Sequence, residues 1–157
     1  MELSRKDILL LSHLRENSRE TLTRMSRKTG VPVSTLYDRL NYHNGKLIKR
    51  FTSLIDFRIL GYMIRVHMLV KVSHDSKEKM KEFLKRAYNA NSVVSLNNDF
   101  DFLIDGIFKD MAELENFKEK LYSQANVERF KSFFVVDEVK SESFMAGHDA
   151  GMSYNAK

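Results

Sequence analysis

Residues 17–40, NSRETLTRMSRKTGVPVSTLYDRL, decide the fold of the N-terminal third of the chain. Residues 21–29 have the period of a short helix, and Gly30 ends it because glycine tolerates the positive φ that closes a helix. Pro32, the only proline in the sequence, then begins a new helix, since its fixed φ suits a first turn and no helical hydrogen bond is lost. The spacing predicts that this helix spans residues 33–43, with Val33, Leu36, Tyr37 and Leu40 on its inner side. Two helices joined by a glycine turn therefore follow each other directly.

A further helix precedes this pair, and an extended segment follows it. Residues 4–15 repeat leucine at three-four spacing, which is typical of an amphipathic helix. Asn44 and Gly45 form a turn signal, and the residues after them lose the helical period. We therefore predict three helices followed by a wing strand within residues 46–55.

The rest of the chain has strand and helix signals in two similar halves. The elements predicted in order are a strand over 62–73, a helix over 76–88, strands over 92–96 and 100–108, a helix capped by Asp110 and a strand over 127–139. This β-α-β-β-α-β order is typical of a ferredoxin-like sandwich, in which two helices cover one face of a sheet. The other face also needs a cover, and a second copy of the chain is the natural one.

The positive charge of the chain is concentrated in its first third. Residues 1–50 contain eleven Lys and Arg against five Asp and Glu, whereas residues 51–157 contain fifteen against sixteen. A basic module on a nearly neutral body indicates a polyanionic partner for that module alone. The absence of cysteine excludes disulfides, thiol nucleophiles and cysteine-type zinc sites. No apolar run is long enough for a signal peptide or a membrane span, so we expect a soluble cytoplasmic protein.

Together, the helix pair and the basic charge indicate binding to double-stranded DNA. The second helix of such a pair fits the major groove, where base edges are distinguishable. The side chains predicted to face bases are Ser34, Thr35, Asp38, Arg39 and Tyr42. The predicted phosphate contacts are Arg27, Lys28, Lys46, Lys49 and Arg50. Binding of a protein instead of DNA is the alternative, and the concentrated charge speaks against it.

The resulting organisation belongs to the α+β class and has four parts. We predict a winged helix-turn-helix DNA-binding domain over 1–50, a linker or wing strand over 51–61, a ferredoxin-like dimerisation and candidate effector-binding domain over 62–140, and a poorly ordered tail over 141–157.

The sequence resembles the Lrp/AsnC (feast/famine) family of transcriptional regulators. The residues that carry the resemblance are Asp7-x-x-Leu10-Leu11-x-x-Leu14, Asn17-x-Arg19, Gly30, Ser34-Thr35, Arg39, Ile48-Lys49-x-Phe51-Thr52 and the run FDFLIDGIFKDMAELENF over 100–117. The resemblance implies a homodimer or higher even oligomer that binds pseudo-palindromic promoter DNA. It also implies that the second domain makes the subunit contacts and often binds an amino acid.

The resemblance implies an effector site at the turn between the two middle strands. The candidate effector-binding residues are Asn97, Asn98, Asp99 and Asp101. Asp101 matches the acidic residue customary in the family, whereas the usual glycine of this turn is absent. The stretch between Leu40 and Ile48 is also shorter than the commonest family spacing.

Two alternatives share the predicted architecture. Sirohaem decarboxylases have a similar two-domain shape, but their typical His-Asn-Tyr run is absent here, and Arg65 and His67 alone offer thin support. The other alternative is an oligomerisation partner that does not bind DNA, and the basic N-terminal third speaks against it. The five histidines show no metal spacing, and the acidic residues near the middle strands fit solvated or interface positions. We predict a regulator that is not an enzyme and has neither a metal nor a cofactor.

Overall fold

The computed structural model describes residues 3–147, which divide into two compact units. The first, called here the N-terminal unit, comprises residues 3–54 together with 139–147. The second, called the sheet unit, comprises residues 55–138.

Three helices form the N-terminal unit: α1 (Arg5–Glu16), α2 (Leu22–Thr29) and α3 (Val33–His43). Each predicted helix is confirmed to within one or two residues. Their shared core is small and consists of the buried side chains of Leu10, Met25, Val31 and Leu36. Side chains cap two of the helix starts, since Ser4 accepts from the Asp7 N–H and Thr21 accepts from the Arg24 N–H.

Gly30 makes the turn between α2 and α3, as the sequence predicts. Its φ of 71° lies in the left-handed region, and its N–H donates to the Ser26 carbonyl to close α2. The next residue, Val31, is buried in the helical core, so the turn is anchored from both sides. The helix-turn-helix is therefore established by a positive φ that only glycine adopts readily.

The predicted wing strand is wrong. Residues 46–55 contain no strand, and only an isolated bridge joins Asn44 to Ile48. The His43 carbonyl accepts from the N–H groups of Lys46, Leu47 and Ile48, which curls the chain into a tight turn. Within residues 3–147, no neighbouring strand pairs with this segment, so its extended pattern has no ladder to join.

The sheet unit has the predicted β-α-β-β-α-β order. Its elements are β1 (Ile64–Val72), α4 (Lys77–Arg86), β2 (Ala90–Ser95), β3 (Phe102–Phe108), α5 (Met111–Gln124) and β4 (Val127–Phe134), with a short 3₁₀ turn over His74–Ser76. The four strands form one antiparallel sheet in the order β2-β3-β1-β4. This is the ferredoxin-like sandwich.

One face of the sheet packs against α4 and α5 and forms the main core. Alternate residues of β1 are fully buried there, and they contact apolar side chains from both helices. The core includes Val66, Met68, Val70, Val72, Met80, Leu84, Leu114, Phe117 and Leu121. The opposite face, called here the open face, carries the intervening residues of β1, from Arg65 to Lys71, which are only half-buried. The predicted alternation of β1 is confirmed.

Past the sheet, the chain differs from the prediction in two ways. Strand β4 ends at Phe134 and does not continue to Val139. The predicted tail begins at 141, but its described part is tied to α1, because Arg15 donates to the Glu142 side chain and backbone at 2.9 and 2.6 Å. The prediction of a poorly ordered tail is therefore wrong for residues 141–147. Residues 148–157 lie outside the described residues.

Candidate nucleic-acid interface

Helix α3 buries one side and presents the other to solvent. Leu36 and His43 are buried and Leu40 is half-buried, so these three define the inner side. The exposed side carries Ser34, Tyr37, Asp38, Asn41 and Tyr42, called here the α3 face, and Val33 is exposed at its edge. Hydroxyl, carboxylate, amide and aromatic groups thus lie together on one helix surface, which is the chemistry that base edges in a major groove require.

The α3 face agrees with the sequence expectation only in part. Ser34, Asp38 and Tyr42 are exposed as expected, whereas Thr35 and Arg39 are half-buried at its edge. Val33 and Tyr37, expected on the inner side, are 41% and 57% exposed. Leu10 of α1 and Met25 of α2 pack against Leu36, whereas Val33 and Tyr37 lie outside this core.

Asn41 lies on the α3 face but is not among the residues predicted from the sequence to face bases. On a helical wheel it falls between Ser34 and Tyr37, close to the middle of the exposed side, so the angular position was a usable signal. An asparagine amide can bond to adenine with both a donor and an acceptor. Asn41 is therefore chemically as suited to a base contact as Asp38 beside it.

The basic residues predicted to contact phosphates differ in their exposure and in the side chains that they contact. Arg27, Lys49 and Arg50 are exposed. Lys46 is exposed too, and its Nζ lies 4.0 Å from the centre of the Tyr42 ring, a cation–π contact that joins the turn to α3. Lys28 is more constrained, because its Nζ lies 2.6 Å from the buried Glu20 carboxylate.

Asp7 is a buried carboxylate that contacts α3 from the first turn of α1. It is 2% exposed, and its Oδ2 accepts from the backbone N–H and hydroxyl of Ser4. Its Oδ1 lies 2.8 Å from His43 Nε2 and 3.7 Å from Arg39 Nη1. Burial alone would raise the pKa of Asp7, but the hydrogen bonds from Ser4 and His43, with the charge of Arg39, lower it below the ordinary value.

The candidate effector residues separate into two environments. Asn97, Asn98 and Asp99 are exposed on the β2–β3 turn, and Asn98 has the positive φ of 68° that a glycine would otherwise supply. Asp101 is buried, and its carboxylate accepts from the Val72 N–H at 3.0 Å and lies 2.7 Å from Lys77 Nζ. Asp101 thus joins β1 and α4, while the three turn residues face solvent.

An ion-pair network that no local sequence pattern indicated occupies the open face of the sheet. Arg65 donates to both oxygens of Asp105 at 2.9 and 3.0 Å and also contacts Glu138. Asn91 donates to Asp105 at 2.8 Å. Arg65 is therefore paired within the sheet unit. The pairing could not be predicted because it depends on the register that places β1 beside β3. Among residues 3–147, no cluster of three metal-ligating side chains is present.

The buried aspartates Asp7, Asp101 and Asp105 predict a loss of stability in acid. Burial opposes ionisation of Asp101 and Asp105, yet the bonds from Lys77 and from Arg65 keep the pKa of each below the ordinary 3.8. A carboxyl group with a lowered folded pKa stabilises the fold above its unfolded pKa, and this stability disappears as pH falls through the folded value. We expect urea midpoints to be flat from about pH 7 to 5 and to fall below about pH 4.

A matched variant isolates one of these carboxylates. Asp101→Asn is expected to lower stability at neutral pH and to reduce the slope of unfolding free energy below pH 4 by up to about 1.4 kcal/mol per pH unit. Asp99→Asn, on the exposed turn, is the control and should leave the slope unchanged. Equal slopes for the two variants would contradict the assignment of the lowered pKa to Asp101.

The fold defines a class of protein: a helix-turn-helix module followed by a ferredoxin-like domain. The family model described as the Lrp/AsnC ligand binding domain matches residues 65–144, half of the chain. The chain therefore belongs to the Lrp/AsnC family of transcriptional regulators. No helix within residues 3–147 is long and apolar enough to cross a bilayer.

Similar proteins agree with this assignment along nearly the whole chain. The HTH-type transcriptional regulator FL11 of Pyrococcus horikoshii is 27% identical over 131 residues, 83% of this chain and 87% of that protein. The glutamate uptake regulatory protein of Zymomonas mobilis is 22% identical over 143 residues, 88% of this chain and 87% of that protein.

Solved structures show the same fold. The regulator NMB0573 of Neisseria meningitidis, in complex with L-Met, has a TM-score of 0.83 at 23% identity, over 89% of this chain and 94% of that one. LrpC of Bacillus subtilis has a TM-score of 0.81 at 17% identity, over 90% of this chain and 99% of that one. The helix-turn-helix and the ferredoxin-like sandwich thus occur in the same order in these regulators.

Proposed function

We propose that the protein regulates transcription in the cytoplasm by binding specific double-stranded DNA through α3, and that it is not an enzyme. The observation that carries this proposal is the α3 face, where polar and aromatic side chains are exposed on the basic third of the chain. A helix of this kind fits the major groove. A purely structural helix would have no need of five exposed residues of this chemistry next to the turn over residues 44–50, called here the basic turn, which carries Lys46, Lys49 and Arg50.

Base contacts and phosphate contacts fall to different residues. Ser34, Asp38 and Tyr42 are the base-facing residues of the prediction that lie on the α3 face, and we add Asn41 to them. Thr35 lies at the edge of this face, within reach of the groove wall. Phosphate contacts are made by the basic residues around it: Arg27, Lys28, Lys46, Lys49 and Arg50. Phosphate contacts fix the position of the protein, whereas base contacts carry the sequence information.

The open face of the sheet is the proposed dimer surface. It presents apolar side chains of all four strands that α4 and α5 do not cover, among them Leu69, Val94, Leu103 and Phe133. An uncovered apolar sheet face is unstable in water and needs a partner. A second copy, related by two-fold symmetry, also gives the two α3 helices that a pseudo-palindromic site requires.

An amino acid is the proposed effector. The support is the family of the chain and the L-Met complex of the Neisseria meningitidis regulator. We place the site at the β2–β3 turn, where Asn97, Asn98 and Asp99 are exposed, and where Asp101 anchors the turn through Val72 and Lys77. The amides and the Asp99 carboxylate are suited to the ammonium and carboxylate groups of an amino acid.

The test is a salt series with two duplexes, one from upstream of the protein's own gene and one of shuffled sequence. We expect tight binding to the first, with log affinity falling by about 0.9 per phosphate contact for each tenfold rise in salt. A Lys49→Gln/Arg50→Gln variant is expected to weaken binding to both duplexes alike and to lower the salt slope by about two.

The control removes the same charge elsewhere. Lys79→Gln/Lys120→Gln changes two exposed lysines on helices of the sheet unit and should leave both affinities close to wild type. Indifferent, weak binding by the wild type would overturn the proposed function and favour the DNA-non-binding partner. A repeat of the titration with mixed L-amino acids tests the effector, because an effector must shift the affinity for the upstream duplex.

A further inference from the structure

One buried carboxylate contacts both the last turn of α3 and a basic residue at the edge of the α3 face. Asp7 Oδ1 lies 2.8 Å from His43 Nε2, and both side chains are almost completely buried. The Arg39 guanidinium lies 3.7 Å from the same oxygen, although 43% of its side chain remains exposed. A carboxylate removed from water is stable only when such partners compensate its charge.

The bond between Asp7 and His43 also determines the position of the basic turn. His43 is the last residue of α3, and its carbonyl accepts from the N–H groups of Lys46, Leu47 and Ile48. Fixing the His43 ring therefore fixes the backbone from which Lys46 extends. The Lys46 ammonium lies over the Tyr42 ring, so the basic turn also contacts the α3 face.

The Arg39 guanidinium is directed toward Asp7 and away from the middle of the α3 face. The exposed side of α3 is centred on Ser34, Asp38 and Asn41, whereas Arg39 is half-buried at its margin. Its charge is already compensated by Asp7, so a phosphate contact would require that attraction to be given up.

We propose that Asp7 is a positioning residue for DNA recognition, which holds Arg39 away from phosphates and fixes the end of α3 through His43. The proposal rests on the proposed function, and it revises the sequence-based role of Arg39 as a base contact. Asp7 sets which groups reach the DNA: the α3 face reads bases, the turn contacts phosphates, and Arg39 contributes to neither while Asp7 is ionised.

Asp7→Asn tests this role because the substitution preserves the shape of the site. The amide oxygen still accepts from Ser4. The amide N–H₂ can donate to His43 Nε2 if the imidazole proton moves to Nδ1, which is buried and has no hydrogen-bond partner among the described residues. What disappears is the charge that holds Arg39.

The expected result is an added phosphate contact, which raises DNA affinity at low salt and steepens its salt dependence. Structural damage to the unit would lower the affinity instead. On the shuffled duplex, Asp7→Asn should add one phosphate contact, so that its affinity falls about threefold more than that of wild type between 50 and 200 mM salt. Preference for the upstream duplex should stay close to that of wild type, because the added contact carries no sequence information and raises the affinity for both duplexes alike. Adding Arg39→Gln to Asp7→Asn should remove the gain, whereas Arg39→Gln alone should leave the salt slope of the wild type nearly unchanged.

Glu16→Gln is the matched control, since it removes one exposed carboxylate from the same helix. Thermal melts of each variant, with all titrations made well below the lowest midpoint, exclude unfolding as a cause. An Asp7→Asn slope equal to that of Glu16→Gln, or a gain that survives Arg39→Gln, overturns this proposal while the proposed function stands. Wild-type protein that binds neither duplex overturns both.

Discussion

Leu36→Ala is expected to abolish DNA binding by unfolding the N-terminal unit. Leu36 is fully buried, and the core it belongs to has only three other buried side chains, Leu10, Met25 and Val31. Truncation of a buried leucine costs about 2–5 kcal/mol, because the transfer energy is lost and a cavity remains. Three short helices have little stability beyond that amount, so the unit that carries the α3 face should no longer be folded.

Urea denaturation measures the loss of folding and DNA titration measures the loss of binding. Unfolding is monitored by far-UV circular dichroism, because the chain contains no tryptophan. Leu121→Ala is the matched control: it truncates an equally buried leucine, but in the sheet unit. It should leave the helix-turn-helix folded and the affinity of each subunit for shuffled DNA largely intact. Normal DNA binding by Leu36→Ala at an unchanged urea midpoint would show that the small core does not maintain the α3 face.

The sequence predicted the parts of the fold that depend on local chemistry. Gly30 and Pro32 specify the helix-turn-helix because glycine permits the positive φ of the turn and proline fixes its own φ, both independently of distant residues. The alternation in β1 predicted the face that contacts the helices, since a strand directs successive side chains to opposite sides. These signals lie within a few residues and need no knowledge of the tertiary structure.

What the sequence did not predict depends on contacts between distant segments. Asp7 and His43 are 36 residues apart, and Arg65 and Asp105 are 40 apart, so neither pair has a local signal. The prediction of a wing strand was wrong for the same reason, because a strand requires a partner that the segment itself cannot supply. The exposure of Tyr37 likewise depends on how much of α3 the two preceding helices cover.

Leu69→Glu is expected to dissociate the proposed dimer. Leu69 lies in the middle of β1 on the open face, directly between Leu103 of β3 and Lys131 of β4. In a two-fold interface the substitution places a carboxylate in both copies, and burying such charges without adequate partners costs several kcal/mol. The dimer dissociation constant should rise by about a hundredfold or more, which sedimentation velocity measures directly.

The monomer itself should stay folded, because Leu69 is only half-buried and Lys131 lies beside it to pair with the new carboxylate. Leu69→Met, which conserves volume and polarity, is the control and should remain dimeric. Since two linked α3 helices bind two half-sites far more tightly than one, Leu69→Glu should also lose its preference for the upstream duplex while retaining weak binding to shuffled DNA. A dimer of undiminished stability would mean that copies of this chain associate through another surface, and the open face would then need a different cover.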